Sequence, residues 1–359
     1  MTWQVINQVI NQVSFLTVIR QDSVADFQQE KDLIRGYYAA LDAAQGEAVT
    51  TCLEDYVSDG YRWRGFHPFN ELNGAGTVSQ EFWLPLKSAL SSMQRRLDIF
   101  MAGDNSLADD PGIWVASMGH LMGLFDEPWL GIAPTGKIAL LRYAEFNRVL
   151  DGKIAESAMY FDIPHLMIQA GLKPFPPQTA AHLIHPGPMT HDGVMFTPQP
   201  GEEGVKTLAA IENMVTDLRS WTGGRTEPLV DELQRSWNQD MIWWGPAGIG
   251  ATYTIERYAQ QHAGPFREGF KDRIFNGHVA FIAEGSYGGF FGWPNLTLTP
   301  TGGFMGMPSS EKPGDMRVID MYRRQGDKLT ENWIFIDLLH FWLMQGVDIL
   351  GRMARVPRT

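Results

Sequence analysis

Two aspartates, each followed three residues later by a histidine, stand out for proton chemistry: Asp162 with His165 and Asp337 with His340. Three residues make nearly one helical turn, so each carboxylate and imidazole can share a face and act as a couple. Asp337 stands in the run Trp333, Ile334, Phe335, Ile336, Leu338, Leu339, Phe341 and Trp342. A carboxyl facing an apolar cavity there would hold its proton above the usual range and could both take and give one. The competing role is structural. Aspartate is a preferred N-cap, and both residues stand where a strand gives way to a helix.

Both pairs belong to an internal repeat. Residues 142–171 and 317–346 align without a gap at a shift of 175, matching Arg142 with Arg317, Glu145 with Asp320, Asp162 with Asp337, His165 with His340 and Gly171 with Gly346. So long a period makes each copy a domain rather than a solenoid unit. Glu145 and Asp320 sit mid-strand, with an arginine three residues to either side that must lie on the opposite face. Pointing inward among aromatics, such a carboxylate is a second acid/base candidate. Pointing outward, it is a cross-strand salt-bridge partner, and outward is the expected orientation.

His120 alternates with Met118 and Met122 on one face of its strand, a mixture that suits a pocket wall or core packing with one hydrogen bond. Tyr61, Trp63 and Trp243, with Trp333 beside Asp337, are candidate aromatic walls for a flat or apolar ligand; packing between helix and sheet accounts for them as well.

The elements that must position these groups follow from pattern. In each copy helices come first, then an antiparallel sheet ending in a strand–helix unit. The first copy has helical spacing from 27 to 44, a short helix over 46–56, a strand at 61–65, a helix over 79–90, and strands at 97–102, 114–124, 137–149 and 153–161. The second copy repeats the order, with helices over 209–221 and 227–237, a strand at 241–244, a helix over 255–266 and three strands from Arg273 onward. Helices packed on a strongly bent sheet form a cone whose concave face encloses a cavity. The division reads as an N-terminal arm at 1–23, a first domain at 24–172, a Pro/Gly-rich linker at 173–204 and a second domain at 205–359. His182, His185 and His191 lie in that linker without carboxylates or cysteines at chelating spacing, so a metal site is not expected there.

Composition excludes several classes of function. Net charge is −12 with no basic cluster, which argues against nucleic acid or anionic lipid as a partner. The lone cysteine, Cys52, allows no intrachain disulfide and suits a reducing, cytoplasmic compartment. The first twenty residues lack a basic leader and a long apolar run, so neither export nor membrane insertion is expected. No phosphate loop, dinucleotide fingerprint or zinc signature occurs, which points to chemistry without a cofactor.

One further pattern carries a family resemblance. Gly119, His120, Gly123, Phe125 and Pro128 are followed by Pro134, Thr135 and Gly136, then by a Gly152-Lys153-Ile154 hairpin, Glu156, Asp162, Gln169 and Gly171. At a shift of 166 the segment 119–136 also parallels 285–302, with Ser286 where His120 stands, which implies nine inserted residues around 304–314 that form a lid, a partner contact or a longer hairpin tip. This arrangement resembles the SnoaL-like polyketide cyclases of the nuclear transport factor 2-like superfamily. The resemblance implies an α+β fold, here a tandem duplication of a cone-shaped α+β barrel. It also implies that the aspartate matching Asp162 and Asp337 moves the proton during ring closure, with His120 matching a family histidine. The expected function is a cofactor-independent cyclase, isomerase or lyase acting on an apolar or carbonyl-containing small molecule. A ligand-binding protein or a scaffold is the alternative. Sheet faces of the superfamily often pair into dimers, so the two copies would pair within the chain, with a homodimer left open.

Overall fold

The computed structural model describes residues 24–219 and 227–356. The expected N-terminal arm at 1–23 lies outside them, and the described residues begin with β1 (Val24–Ala25), which forms a two-stranded ribbon with β8 (Gln199–Pro200). The fold is mixed α+β.

In the first half, helices Gln28–Ala43 and Ala48–Tyr56 precede β2 (Val57–Gly65) and β3 (Glu71–Asn73). A helical segment over 75–89 follows, π-helical at Ser79–Trp83, then β4 (Leu90–Asp104), β5 (Ile113–Phe125), β6 (Ile138–Leu150), β7 (Lys153–Phe161) and helix Ile163–Gln169. Helix Gln28–Ala43 buries Ile34, Tyr37, Tyr38 and Leu41, one stripe at helical spacing. The β6–β7 hairpin turns on Asp151 and Gly152, both with positive φ, the geometry that an Asp-Gly pair favours. The strands assemble in the order β3-β2-β7-β6-β5-β4. Only the β2–β7 contact is parallel.

The second half runs through helices Gly201–Arg219 and Leu229–Ser236, β9 (Trp237–Trp244), β10 (Ala251–Tyr253) and a helical segment over 255–269 that is again π-helical, at Ala259–Ala263. Then come β11 (Phe270–Phe275), β12 (Ala280–Glu284), β13 (Tyr287–Pro300), β14 (Gly314–Gln325), β15 (Lys328–Ile336) and helices Leu338–Met344 and Ile349–Met353. Its sheet order, β10-β9-β15-β14-β13-β11, repeats the first, and β12 is an additional strand on β13. Helix Gly201–Arg219 begins well before the expected residue 209, its first turn carrying Glu202 and Glu203, which suit the positive end of a helix.

Strand pairing corrects one sequence expectation. Ser117 faces Glu145 across β5–β6, and Phe290 faces Asp320 across β13–β14, so these strands correspond at a shift of 173 and not 166. The position of His120 falls in the irregular stretch 293–295 opposite Arg317, while Ser286 lies in the turn before β13. The 304–314 loop is not an insertion, because the β5–β6 and β13–β14 connections are nearly equal in length. Its Phe304 is buried against Phe266 and Phe270.

The sheets pack back to back with their helices outside. Trp114 and Phe146 from the first sheet meet Phe291 of the second at ring-centroid distances of 5.3 and 5.4 Å. Two aspartates cross this interface reciprocally. Asp162 caps helix Ile163–Gln169 by accepting from the His165 backbone N–H at 3.0 Å, and its other oxygen accepts from the Ala247 N–H at 2.9 Å. Asp337 caps helix Leu338–Met344 through the His340 N–H at 3.1 Å, and its other oxygen accepts from the His67 N–H at 2.9 Å. Ala247 occupies the same place after β9 that His67 occupies after β2, so the same contact is made once in each direction. The first half also anchors β12: Glu284 pairs with Lys31 and accepts from the Ala102 N–H at 2.8 Å.

Truncating either aspartate removes a helix cap and a cross-interface acceptor together. Asp162→Ala and Asp337→Ala are each expected to lower unfolding free energy by about 1–3 kcal/mol in urea titrations of the whole chain. A loss below a few tenths of a kcal/mol would contradict the shared-cap role.

Candidate functional site

Both sheets turn a face toward their own helices, and on each a carboxylate sits at the centre: Glu145 on β6 and Asp320 on β14. Both point inward, which corrects the outward orientation expected from the sequence. The flanking arginines take the opposite face, where Arg142 donates to the Trp244 carbonyl at 2.9 Å and Arg323 pairs with Glu331.

In the first half the space around this carboxylate is filled. Tyr38 donates to Glu145 at 2.6 Å, Arg95 lies 3.6 Å from the same oxygen, and the Arg95 guanidinium covers the Tyr38 ring at 3.9 Å. Asn147 donates to the Tyr38 hydroxyl at 3.2 Å, Ser157 to Asn147 at 2.6 Å, and Tyr61 to Ser157 at 2.9 Å. Burial raises the Glu145 carboxyl, opposed by Arg95 and by the hydrogen bond from Tyr38. These side chains occupy the space beside Glu145.

In the second half the same framework encloses a cavity of about 540 Å³. Strand register identifies the substitutions that open it. Arg95 is replaced by Phe275, Tyr143 by Val318 and Tyr61 by Met241, while the π-helical segments place Ala263 where Trp83 stands. The walls are mostly apolar, from Met214, Phe266, Phe290, Leu298 and Ile334 among others. Asp320 lies within them, accepting from the Asn332 amide at 2.5 Å and hydrogen-bonded to the Tyr322 hydroxyl. Burial pushes its carboxyl up to about 7, against the lowering effect of those two partners and of Arg142.

Other polar groups line the same space. His262 stacks on Trp243 with ring centroids 3.9 Å apart, and burial lowers it to about 3. His278 stacks on Phe290 at 4.0 Å and is likewise lowered to about 3 by burial. Both imidazoles are therefore neutral at physiological pH and can serve as hydrogen-bonding groups without charge. Glu232 and Arg267 close one wall as a bidentate pair at 2.7 and 2.8 Å.

Of the residues singled out in the sequence, Asp320 and Trp243 line this cavity. Asp162, Asp337, His165 and His340 do not: the aspartates cap helices at the interface, and each histidine backbone serves as the capped donor. Burial raises Asp337 to about 6, but its oxygens face backbone donors and Arg317. Trp63 packs on Phe82 and Phe161 in the filled half. Trp333 turns to the interface and donates to the Pro186 carbonyl at 3.0 Å. His120 faces Asp98 at 3.4 Å on the same outer side. Asn332 and Tyr322 went unrecognised, although Tyr322 stands two residues from Asp320 and so shares its face. His262 carried no local signal, because its exposure to the cavity depends on the small Ala263 beside it.

No family model matches the chain, and no curated protein matches it. Solved structures similar to it include a candidate SnoaL-like polyketide cyclase from Jannaschia sp. CCS1, 17% identical over 44% of this chain and 99% of that one, TM-score 0.34. AclR, a candidate hydroxylase from Streptomyces galilaeus, is 17% identical over 41% of this chain and 98% of its own, TM-score 0.34. An NTF2-like protein from Burkholderia xenovorans LB400 is 13% identical over 40% and 97%, TM-score 0.31.

Side-chain volume at one helical position distinguishes the halves, and exchange should show it. Ala263→Trp is expected to abolish binding of an apolar fluorescent probe to the second half. Trp83→Ala should cost about 3–5 kcal/mol in stability as it empties the first. Undiminished probe binding by Ala263→Trp would mean that the probe sits elsewhere.

Proposed function

We propose that the chain is a small-molecule enzyme of the SnoaL-like type, built from two copies of one domain, in which only the second copy works. Asp320, rather than Asp162 or Asp337, is its general acid/base. The observation that carries this reading is a carboxyl held at about 7 inside a mostly apolar cavity of about 540 Å³. A carboxylate so tuned removes a proton from the carbon beside a carbonyl, giving an enolate, and as the acid returns that proton to the product carbon or alkoxide. Isomerisation, ring closure and elimination all fit this cycle, which needs only the carboxyl. Asn332 and Tyr322 orient the carboxyl, and the apolar walls exclude water, which strengthens every polar contact to the substrate. The substrate is thus an apolar, carbonyl-containing molecule.

Native mass spectrometry after incubation with a metabolite extract tests the reading. Asp320→Asn should retain a small molecule unchanged while the wild type releases a product, of the same mass for an isomerase and of altered mass for a lyase. A ligand kept unaltered by both would make the protein a binder. Once a substrate is in hand, kcat/KM for the proton-abstracting step should rise with pH and level off above about 7, as Asp320 ionises. A flat profile would exclude Asp320 as the base.

The same group makes stability depend on pH. The folded chain keeps the Asp320 proton up to about 7, whereas an unfolded aspartate loses it near 3.8, so stability falls as pH rises between those values. Asp320→Asn should flatten this part of the curve in urea unfolding measured from pH 4 to pH 8. An unchanged slope would place the titration elsewhere.

A further inference from the structure

A second group of titratable side chains gathers on the outer face of the first sheet, where the linker and the second half meet it. His120 of β5, Arg142 of β6 and His165 of helix Ile163–Gln169 come together with His182 and His185 of the linker. The His165 ring lies 5.1 Å from that of His182 and 6.2 Å from that of His185, between centroids. His120, Arg142, His165 and His185 are buried, whereas His182 is exposed, so the cluster reaches solvent at His182.

Five buried nitrogens here have no hydrogen-bond partner among the described residues: Arg142 Nε and Nη1, His120 Nε2, His165 Nε2 and His185 Nδ1. Leaving such groups unpaired is costly. Their proton inventory favours an acceptor. Gln169 Oε1 accepts from the Leu140 N–H and its Nε2 donates to the Leu140 carbonyl, both at 2.9 Å, which fixes the amide orientation. That Nε2 lies 3.4 Å from His165 Nδ1, so Nδ1 accepts and the imidazole proton resides on the unpaired Nε2. With the two guanidinium N–H groups of Arg142, the cluster holds three unpaired donors, and His185 Nδ1 can supply a fourth.

The nearby carboxylates do not meet this need. Both oxygens of Asp162 are engaged by backbone N–H groups, and Asp98 faces the far nitrogen of His120. A divalent cation fits poorly beside the fixed charge of Arg142, and no metal-holding group of ligands occurs among the described residues. The pseudo-equivalent position in the second half is satisfied differently. Both guanidiniums cover a ring, Arg142 that of Phe335 at 4.0 Å and Arg317 that of Trp293 at 3.8 Å, but Arg317 also donates to a side chain, Asn70, at 2.7 Å.

We propose that this cluster binds a small anion, of the size of chloride or formate, which enters past His182 and accepts hydrogen bonds from Arg142, His165 and His185. Bound there, the anion ties the linker to the first sheet, and it belongs to a site separate from the cavity.

Thermal unfolding of the full chain in sodium gluconate, with chloride or formate substituted at constant ionic strength, tests this. Expected is a saturable rise in Tm of about 2–4 °C with at least one of the two ions. Response to chloride alone would define a halide site, and response to formate a carboxylate-accepting one. His185→Phe and Arg142→Lys should reduce the rise. Because either variant could disturb folding, the wild type is also titrated by ¹⁵N NMR, where the imidazole signals of His165 and His185 should move with the same saturation. Unmoved signals with no ion-specific Tm change would overturn the proposal. Stabilisation by Zn²⁺ that EDTA reverses would overturn it in favour of a metal.

Discussion

Each sheet has one face for its own helices and one for the other sheet, and neither outer face can be left in water: Trp114, Phe146 and Phe291 are all buried there. Back-to-back packing resolves this, and the two aspartate caps fix its geometry. A capping carboxylate normally spends its second oxygen on solvent. Here Asp162 and Asp337 spend theirs on a backbone N–H of the opposite half. The capping residue of each of these helices is therefore tied to the other half, and a sliding movement between the sheets would break both cross-half hydrogen bonds at once.

That shared scaffold is filled unequally. The backbone repeats even to a π-helical turn at the same place, so the strands and helices around the two centres are comparable. What differs is side-chain bulk and polarity: Trp83 against Ala263, Arg95 against Phe275, Tyr143 against Val318. In the first half a hydrogen-bonded chain from Glu145 through Tyr38, Asn147 and Ser157 to Tyr61 occupies the space, with the Arg95 guanidinium as ion-pair partner of Glu145 and cover for the Tyr38 ring. In the second half the bulk is gone and the carboxylate is left with fewer partners, which is the combination that yields both a cavity and a proton held to near neutral pH.

Three of the buried carboxylates, set side by side, show how the setting decides the role. Glu145 is opposed by a guanidinium, Asp337 by backbone donors and Arg317, and Asp320 by an amide and a phenol facing open space. Only the last leaves a carboxyl with room beside it for a substrate. Burial alone raises all three, so a raised pKa does not by itself mark the site; the adjacent cavity does.

The sequence by itself determined the match of 142–171 with 317–346, the order of most helices and strands, and which positions alternate together on one strand face, because these follow from local spacing and alternation. It also showed that Asp162 and Asp337 stand at helix starts and that Glu145 and Asp320 share one register. It misplaced the β5–β13 correspondence, because matching glycines and prolines say nothing of strand pairing, which backbone hydrogen bonds set. Only the tertiary structure decided that the capping aspartates face the opposite half, that Glu145 and Asp320 point inward, and that one of two like frameworks is hollow. Those outcomes depend on the combined volume and charge of side chains from three or four separate segments, a property that no single stretch of sequence carries.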